Sequence, residues 1–250
     1  MIGCIIQARV GSTRLPGKVM LKLDEKNTVL QYVIKQLQSS KLIEKIIVAT
    51  TTLDEDNKIK NHVKDLNIDI FRGSSNDVLD RYFQCANKFA IDTIIRITAD
   101  NPLIDPTIVD DMIQIFKINS YDYLTNAHVR TFPYGTEVEI FSFDALQKAW
   151  KNATKPSERE HVTQFFYNNP QSFKNHNEKN PKNISNLRWT IDRENDFLLV
   201  KSIISKIKQR PILMDNITNL FSKEPELFNI NKNQVVDESL KKSLKEDKDY

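Results

Sequence analysis

Short, continuous apolar runs alternate with segments of helical period over the first half of the chain. Ile2–Ala8 is apolar at its centre, which predicts a strand buried on both faces. Val29, Leu30, Val33 and Leu37 then recur at helical spacing. Ile46–Thr51 predicts a second buried strand ending in hydroxyls. A helix capped by Asp54 follows, with Ile59, Val63 and Leu66 on its apolar face. Ile68–Phe71 is a short third strand. Asn76 or Ser75 caps the next helix, which bears Val78, Leu79, Tyr82, Phe83, Ala86 and Phe89. Thr93–Thr98 is a fourth strand. Asp105 and Pro106 open a helix bearing Ile108, Val109, Met112, Ile113 and Phe116, with proline where its missing N–H costs nothing. Repeated strand–helix units predict an α/β fold with a mostly parallel sheet wound with helices.

The pattern changes after Tyr121. Tyr123–Asn126 and Thr136–Ser142 are strand-like, with a Pro133–Tyr134–Gly135 turn between them. Glu137 and Glu139 alternate with Val138 and Ile140, so both carboxylates face one side of that strand. Helices are expected around Phe143–Ala153 and Ser157–Tyr167, then a polar loop from Asn168 to Asn186. Leu187–Asp192 reads as a last strand ending in an acid. A helix from about Glu194 carries Phe197, Leu198, Val200, Ile203, Ile204 and Ile207. Residues 1–228 read as one domain. Residues 229–250, rich in Asn, Lys, Asp and Glu, read as a charged tail or appended arm.

The loop after the first strand concentrates unusual chemistry. Gln7–Ala8–Arg9–Val10–Gly11–Ser12–Thr13–Arg14–Leu15–Pro16–Gly17–Lys18 holds two of the chain's five glycines, three cations, two hydroxyls and no acid. Glycines let backbone N–H groups approach an anion, hydroxyls donate, and Arg and Lys neutralise charge. A solvated basic turn is the bland alternative. Its place at the carboxyl end of the first strand, where ligands of such sheets bind, favours a polyphosphate site. The same rule puts Thr50, Arg72–Ser75 and Asp100 on one rim with it.

The net charge of +3 is too small to argue for a nucleic-acid or membrane partner. No apolar run approaches about 20 residues, and the first is too short for a signal sequence. Cys4 and Cys85 are isolated in apolar surroundings, without CxxC or zinc spacing, and read as reduced core thiols of a cytoplasmic protein.

Asp100 stops a strand against Pro102, and Asp192 follows Trp189–Thr190–Ile191 in the same way. Each alone fits a helix N-cap as well as a metal ligand. Two carboxylates at strand ends facing a basic loop together favour Mg²⁺, which takes one or two carboxylates plus phosphate oxygens and water. Asp77 and Arg81 are four apart, so they fit an ion pair on one helix face. Glu137 and Glu139 suit acceptor hydroxyls or a solvated strand face. His161 is a candidate ligand-binding residue within the charged turn Glu158–His161. His62, His128 and His176 read as incidental.

These motifs resemble the cytidylyltransferases that activate sugar acids and related surface-polymer precursors. The spore-coat polysaccharide (SpsF-like) branch is the nearest resemblance, with the CMP-Kdo and CMP-sialate synthetases more distant. The match runs from Ile5 through Lys18, then Ala49–Thr51, Arg72–Ser74, Asp77–Tyr82 and Arg96–Asp105. It continues at Asp122–Tyr123, Gly135 with Glu137 and Glu139, Arg159–Thr163 and Arg188–Asp192. Ala99 stands where the family has glycine, and Glu137 where aspartate is common.

The resemblance implies a three-layer α/β/α nucleotidyltransferase fold of the GT-A, Rossmann-like kind. It implies CTP held by Gln7, Ala8, Arg9, Gly11, Ser12, Arg14 and Lys18, with Thr50, Arg72, Ser74 and Arg81 around the nucleotide. Arg14 and Lys18 would meet the phosphates, and Asp100 and Asp192 match the metal-holding acids. Residues 120–186 would include the acceptor and dimerisation region of a homodimer. The implied reaction transfers CMP from CTP to an acceptor, with Glu137, Glu139 and His161 on the acceptor side. A glycosyltransferase of similar fold would carry an Asp-x-Asp motif, which Asp100–Asn101–Pro102 lacks. A catalytically silent nucleotide-binding protein is the other alternative.

Overall fold

The computed structural model describes residues 1–232 and 238–249. Its seven strands are β1 (Ile2–Gln7), β2 (Lys45–Thr51), β3 (Asp69–Gly73), β4 (Thr93–Thr98), β5 (Tyr123–Thr125), β6 (Glu139–Ser142) and β7 (Asn175–Asn177). They form one sheet in the order β3-β2-β1-β4-β6-β5-β7. β1 pairs in parallel with both β2 and β4, and β2 with β3. β6 runs against β4 and β5, while β7 is parallel to β5. The sheet is therefore mostly parallel, with β6 alone reversed.

The helices are α1 (Val29–Leu37), α2 (Asn57–Asp65), α3 (Val78–Lys88), α4 (Pro106–Asn119), α5 (Phe143–Asn152), α6 (Pro156–His161), α7 (Gln164–Asn168), α8 (Glu194–Lys206), α9 (Met214–Lys223) and α10 (Glu238–Glu246). Alternation along β1 sends Cys4 and Ile6 to one face and Ile5 to the other. α1, α2 and α4 cover the first face, through Val33, Val63 and Val109. α3, α5 and α7 cover the second, through Leu79, Leu146 and Phe166. The result is the expected α/β/α sandwich. A third core gathers Leu23, Tyr32, Leu103 and Trp189 with Leu199 of α8 and Ile217 of α9. Cys4 and Cys85 lie unbridged in the cores on opposite faces of the sheet. Burial pushes the Cys85 thiol up to about 12, and Cys4 higher still.

Several expected elements differ. Asp54 makes no side-chain cap and opens a short 3₁₀ turn before α2. Asp77, rather than Asn76 or Ser75, caps α3, accepting from the Asp80 N–H at 2.8 Å. The expected helix over Ser157–Tyr167 is broken into α6 and α7 at Val162, whose φ is 60°. Only Glu139–Ser142 of the segment from Thr136 is strand. Leu187–Asp192 does not join the sheet. It is an extended segment that bridges to Tyr134 and donates from the Ile191 N–H to the Asp100 carbonyl at 2.9 Å. The polar stretch expected as loop supplies β7, an edge strand too hydrophilic to show an apolar run.

The expected charged tail also differs within the described residues. Glu238–Glu246 is helix, packed against α6, because its polar groups have partners. The Asp247 carboxylate accepts from the Ser157 N–H and hydroxyl at 2.9 and 2.6 Å. Residues 233–237 and 250 of that tail lie outside the described residues.

Gly135 lets the 133–135 turn press against the segment that carries Asp192. Its φ is 108°, and a Cβ there would lie 2.6 Å from Trp189 Cδ1 and 2.8 Å from the Thr190 nitrogen. Gly135→Ala is expected to lower stability by about 2–4 kcal/mol, combining left-handed strain with overpacking. Urea denaturation measures this, and an unchanged midpoint would contradict the packing described.

Candidate active site

β1 ends at Gln7, and the basic loop leaves the carboxyl edge of the sheet. Gly17, at φ 67°, turns the chain into a 3₁₀ turn that starts at Lys18. Asp56 holds the loop from outside. Its carboxylate accepts from the Val10 N–H at 2.7 Å and from the Thr51 hydroxyl at 2.5 Å, and it is fully buried. This residue was not visible as functional in the sequence, since it sits among the acids of an ordinary helix start.

The Lys18 side chain is directed inward, and the residue is only 9% exposed. Its ammonium donates to Asp100 Oδ2 at 2.8 Å, Asp192 Oδ1 at 3.0 Å and the Ile191 carbonyl at 2.7 Å. Burial alone would lower its pKa, but the two carboxylates outweigh that and hold it above the ordinary value. Arg14 Nη2 reaches Asp192 Oδ1 at 2.7 Å, and Arg188 Nη2 reaches its other oxygen at 2.7 Å. Burial opposes ionisation of Asp192, but Lys18, Arg14 and Arg188 outweigh it and hold the carboxyl well below the usual range. Buried Asp196 orients this corner by accepting from the N–H groups of Asp192 and Arg193, each at 3.0 Å. Asp100 accepts from the Thr98 hydroxyl at 2.5 Å. Neither Asp100 nor Asp192 caps a helix, because Asp105 caps α4 and Arg193 occupies the N-cap position of α8. The N-cap alternative for the two acids therefore falls away.

Between the loop and the ends of β2 and β3 lies a second feature. Buried Thr50 Oγ1 and the Nε and Nη2 of fully buried Arg81 have no hydrogen-bond partner among the described residues. Burial, then exposed Arg9 nearby, pushes the Arg81 guanidinium down. The expected Asp77–Arg81 ion pair does not form. Asp77 instead accepts from Arg159 Nε at 2.9 Å, and Arg81 donates from Nη1 to the Ser74 carbonyl at 2.5 Å. Unpaired buried donors beside a basic glycine loop suit a bound polar ligand. Gln7 and Ala8 lie at the base of the loop, Gln7 accepting from Arg96 at 3.3 Å. Gly11 and Ser12 lie on its outer turn.

Arg72 is placed differently from expectation. Its guanidinium is spent on the Thr51 carbonyl, Asn57 Oδ1 and the Leu53 carbonyl, at 2.8, 2.8 and 2.9 Å. It ties β3 to the β2 loop. The Ser74 hydroxyl likewise accepts from the Asp77 N–H at 3.0 Å.

On the other side of Asp100 and Asp192 a cavity of about 780 Å³ opens, and Glu137, Glu139 and His161 all line it. Glu139 is 6% exposed, ion-paired with Arg96, and accepts from the Tyr123 hydroxyl at 2.6 Å. That rules out a solvated strand face for it. Glu137 accepts from Arg130 at 2.6 Å, Asn101 at 3.0 Å and the Gly135 N–H at 2.8 Å. His161 Nε2 lies 3.1 Å from the Ser243 hydroxyl of α10, and burial pushes its pKa down. His128, read as incidental, also lines the cavity and stacks on Tyr167 with ring centroids 4.3 Å apart. Nothing in the sequence separated it from the other histidines.

The family described as cytidylyltransferase matches residues 3–242. That span takes in the basic loop, both acids and all of the cavity wall except Leu244. The chain belongs to the cytidylyltransferase family. The spore coat polysaccharide biosynthesis protein SpsF of Bacillus subtilis is 31% identical to it, over 89% of this chain and 94% of that one. A cytidylyltransferase structure from Leptospira borgpetersenii superposes with a TM-score of 0.88 at 36% identity, covering 94% of this chain and 98% of that one. A CMP:2-keto-3-deoxy-manno-octonic acid synthetase solved with CTP shares the fold. It has a TM-score of 0.61 at 17% identity over 82% of this chain and 98% of that one. The cytidylyltransferase is thus a CTP-dependent nucleotidyltransferase. No helix among its described residues is long and apolar enough to cross a membrane.

The donor set also tests the expected metal. No group of three or more His, Cys, Asp or Glu converges among the described residues, so a closed protein cage for zinc or calcium is absent there. Two carboxylates meeting at one ammonium fit an ion that takes its remaining ligands from phosphate and water, as magnesium does.

Because the folded-state pKa of Asp192 is depressed, its stabilisation is present above the unfolded value near pH 4 and fades as pH falls below it. Asp192→Asn is expected to destabilise the enzyme by about 2 kcal/mol at pH 7 and by clearly less at pH 3. Urea titrations at the two pH values measure the difference. A penalty independent of pH would contradict the charge pairing.

Proposed function

We propose that this cytidylyltransferase transfers the cytidylyl group of CTP to a hydroxyl of a sugar acid or related surface-polysaccharide precursor, releasing pyrophosphate. The observation that carries the reading is the meeting of Lys18, Asp100 and Asp192 at the edge of a cavity lined by Glu137, Glu139 and His161, with unpaired buried atoms of Thr50 and Arg81 beside the basic loop. Nucleotide and acceptor would approach from opposite sides of that cluster. The acceptor oxygen attacks the α-phosphorus and pyrophosphate leaves, with no covalent enzyme intermediate.

Arg14 and Lys18 would neutralise the triphosphate and then the departing pyrophosphate. Arg81 and Thr50 would supply hydrogen bonds to the nucleoside from their unpaired atoms. Arg9, Gly11 and Ser12 would complete the phosphate-facing loop. Glu137, Glu139 and His161 would orient the acceptor, which is the larger part of catalysis where no covalent step is needed. Mg²⁺ held by Asp100 and Asp192 would withdraw charge from the α-phosphate when bound. A homodimer working in the cytoplasm completes the proposal, on analogy with the family.

Asp100→Ala is expected to leave a folded protein whose pyrophosphate release falls by at least about 100-fold. A screen of four nucleoside triphosphates against candidate acceptors measures it, with CTP alone expected to support turnover. Full activity in the variant would sink the assignment of Asp100. Release of free nucleotide instead of pyrophosphate would point to glycosyl transfer.

Arg81→Met separates binding from folding. Removing a buried guanidinium with two unpaired nitrogens should leave the melting temperature unchanged or higher. CTP affinity, read by calorimetry, should fall at least about 10-fold. A lowered melting temperature with unchanged CTP affinity would make Arg81 structural.

A further inference from the structure

We propose that α10 is the acceptor-selecting wall of this active site, with Leu240 and Leu244 the side chains that touch the acceptor; the proposal rests on the cytidylyl-transfer reading above. Both leucines line the 780 Å³ cavity that also holds Asp100 and Asp192. They are four residues apart, so they form one stripe along the helix. Leu240 is half-buried, and Leu244 is 41% exposed at the cavity. Ser239 and Ser243 form an adjacent stripe. Ser243, 1% exposed, packs on α6 through His161 and Glu160. The helix therefore packs on α6 through Ser243 and presents Leu240 and Leu244 to the cavity beside Glu238 and Ser239.

Three anchors fix this orientation. Glu238 accepts from Arg193 Nη2 at 2.7 Å and lies 3.6 Å from Arg14 Nη1. Ser243 meets His161 and Glu160, and Asp247 takes the N–H and hydroxyl of Ser157. Arg14 and His161 thus both contact α10 while standing on the nucleotide and acceptor sides of the site. Ala127 is the other aliphatic side chain among the described lining residues, and the remaining walls are charged, hydroxylic, amide or aromatic. A site with an aliphatic patch among hydrogen-bonding walls selects a polyhydroxylated acceptor that carries an apolar substituent on one flank: a deoxy carbon, a methyl or an N-acyl group. Its hydroxyls face Glu137 and the other polar groups, and its apolar flank covers the leucines.

The test is steady-state pyrophosphate release with CTP and Mg²⁺. The acceptor panel pairs 6-deoxyhexoses with their parent hexoses and includes 3-deoxy-manno-octulosonate and N-acetylneuraminate. Leu240→Ser and Leu244→Ser are compared with the unsubstituted enzyme, and Leu244→Gln, at the more exposed position, guards against a folding defect. The wild type is expected to prefer acceptors with the apolar substituent. The variants should raise acceptor KM about 10-fold, the scale of one or two methylene contacts, with kcat and CTP affinity unchanged. Acceptor KM unchanged in all three variants, or no preference for the apolar-substituted acceptors, overturns the proposal. A CTP titration of the wild type by calorimetry tells the two failures apart. Absence of CTP binding defeats the nucleotide-transfer reading itself, whereas CTP binding with unaltered acceptor kinetics defeats only the role of α10.

Discussion

The Lys18 ammonium is the constraint on which this site depends. Two carboxylates at the ends of separate segments repel each other, and the repulsion grows as water is excluded. A single cation between Asp100 and Asp192 turns that repulsion into attraction on both sides. Because the ammonium also donates to the Ile191 carbonyl, it joins the loop after β1, the end of β4 and the segment before α8 at one point. Those segments are 82 and 174 residues from Lys18 in the chain. The cluster is also suited to exchange. A triphosphate brings negative charge and a metal brings positive charge, so the carboxylates and the ammonium can change partners without leaving a buried charge uncompensated.

Charge is balanced locally around that point. Arg188 spans Asp192 and Asp196, Arg96 holds Glu139, and Arg130 holds Glu137. Each pair fixes the rotamer of a cavity-lining group, so the cavity wall is preorganised by ion pairs. The side beside the basic loop is built differently. Thr50 and Arg81 keep buried polar atoms with no partner among the described residues, a costly arrangement unless a ligand supplies the missing bonds. One half of the site is thus satisfied by its own contacts, and the other half keeps unpaired buried atoms among the described residues. α10 reaches both halves, through Glu238 beside Arg14 and Ser243 beside His161.

Much of this was legible in the chain. The alternation of Ile2–Ala8 with the helical period beyond Val29 was enough for a mostly parallel sheet, because strands buried on both faces read as continuous apolar runs. The glycine-rich, acid-free loop was conspicuous by composition, and the acids at Asp100 and Asp192 by their positions after apolar runs. Other residues carried no such mark. Asp56 and Asp196 look like ordinary acids of helix starts, yet both are buried and bind backbone N–H groups that shape the site. Arg72 has the composition of a ligand-binding residue, but its guanidinium is used up by two carbonyls and an amide oxygen.

Local chemistry thus determined the first four strands and the helices between them, the basic loop and the placing of the two acids after apolar segments, since periodicity, turn residues and strand ends are properties of neighbours in the chain. Tertiary structure decided the pairings. It set Asp77 against Arg159 and Arg81 against the Ser74 carbonyl, withheld Leu187–Asp192 from the sheet, and laid the charged segment Glu238–Glu246 across the cavity as a helix. Each outcome depends on which distant group satisfies a buried charge or polar atom, and that partner is chosen in space, where Lys18 and Asp192 are neighbours although most of the chain lies between them.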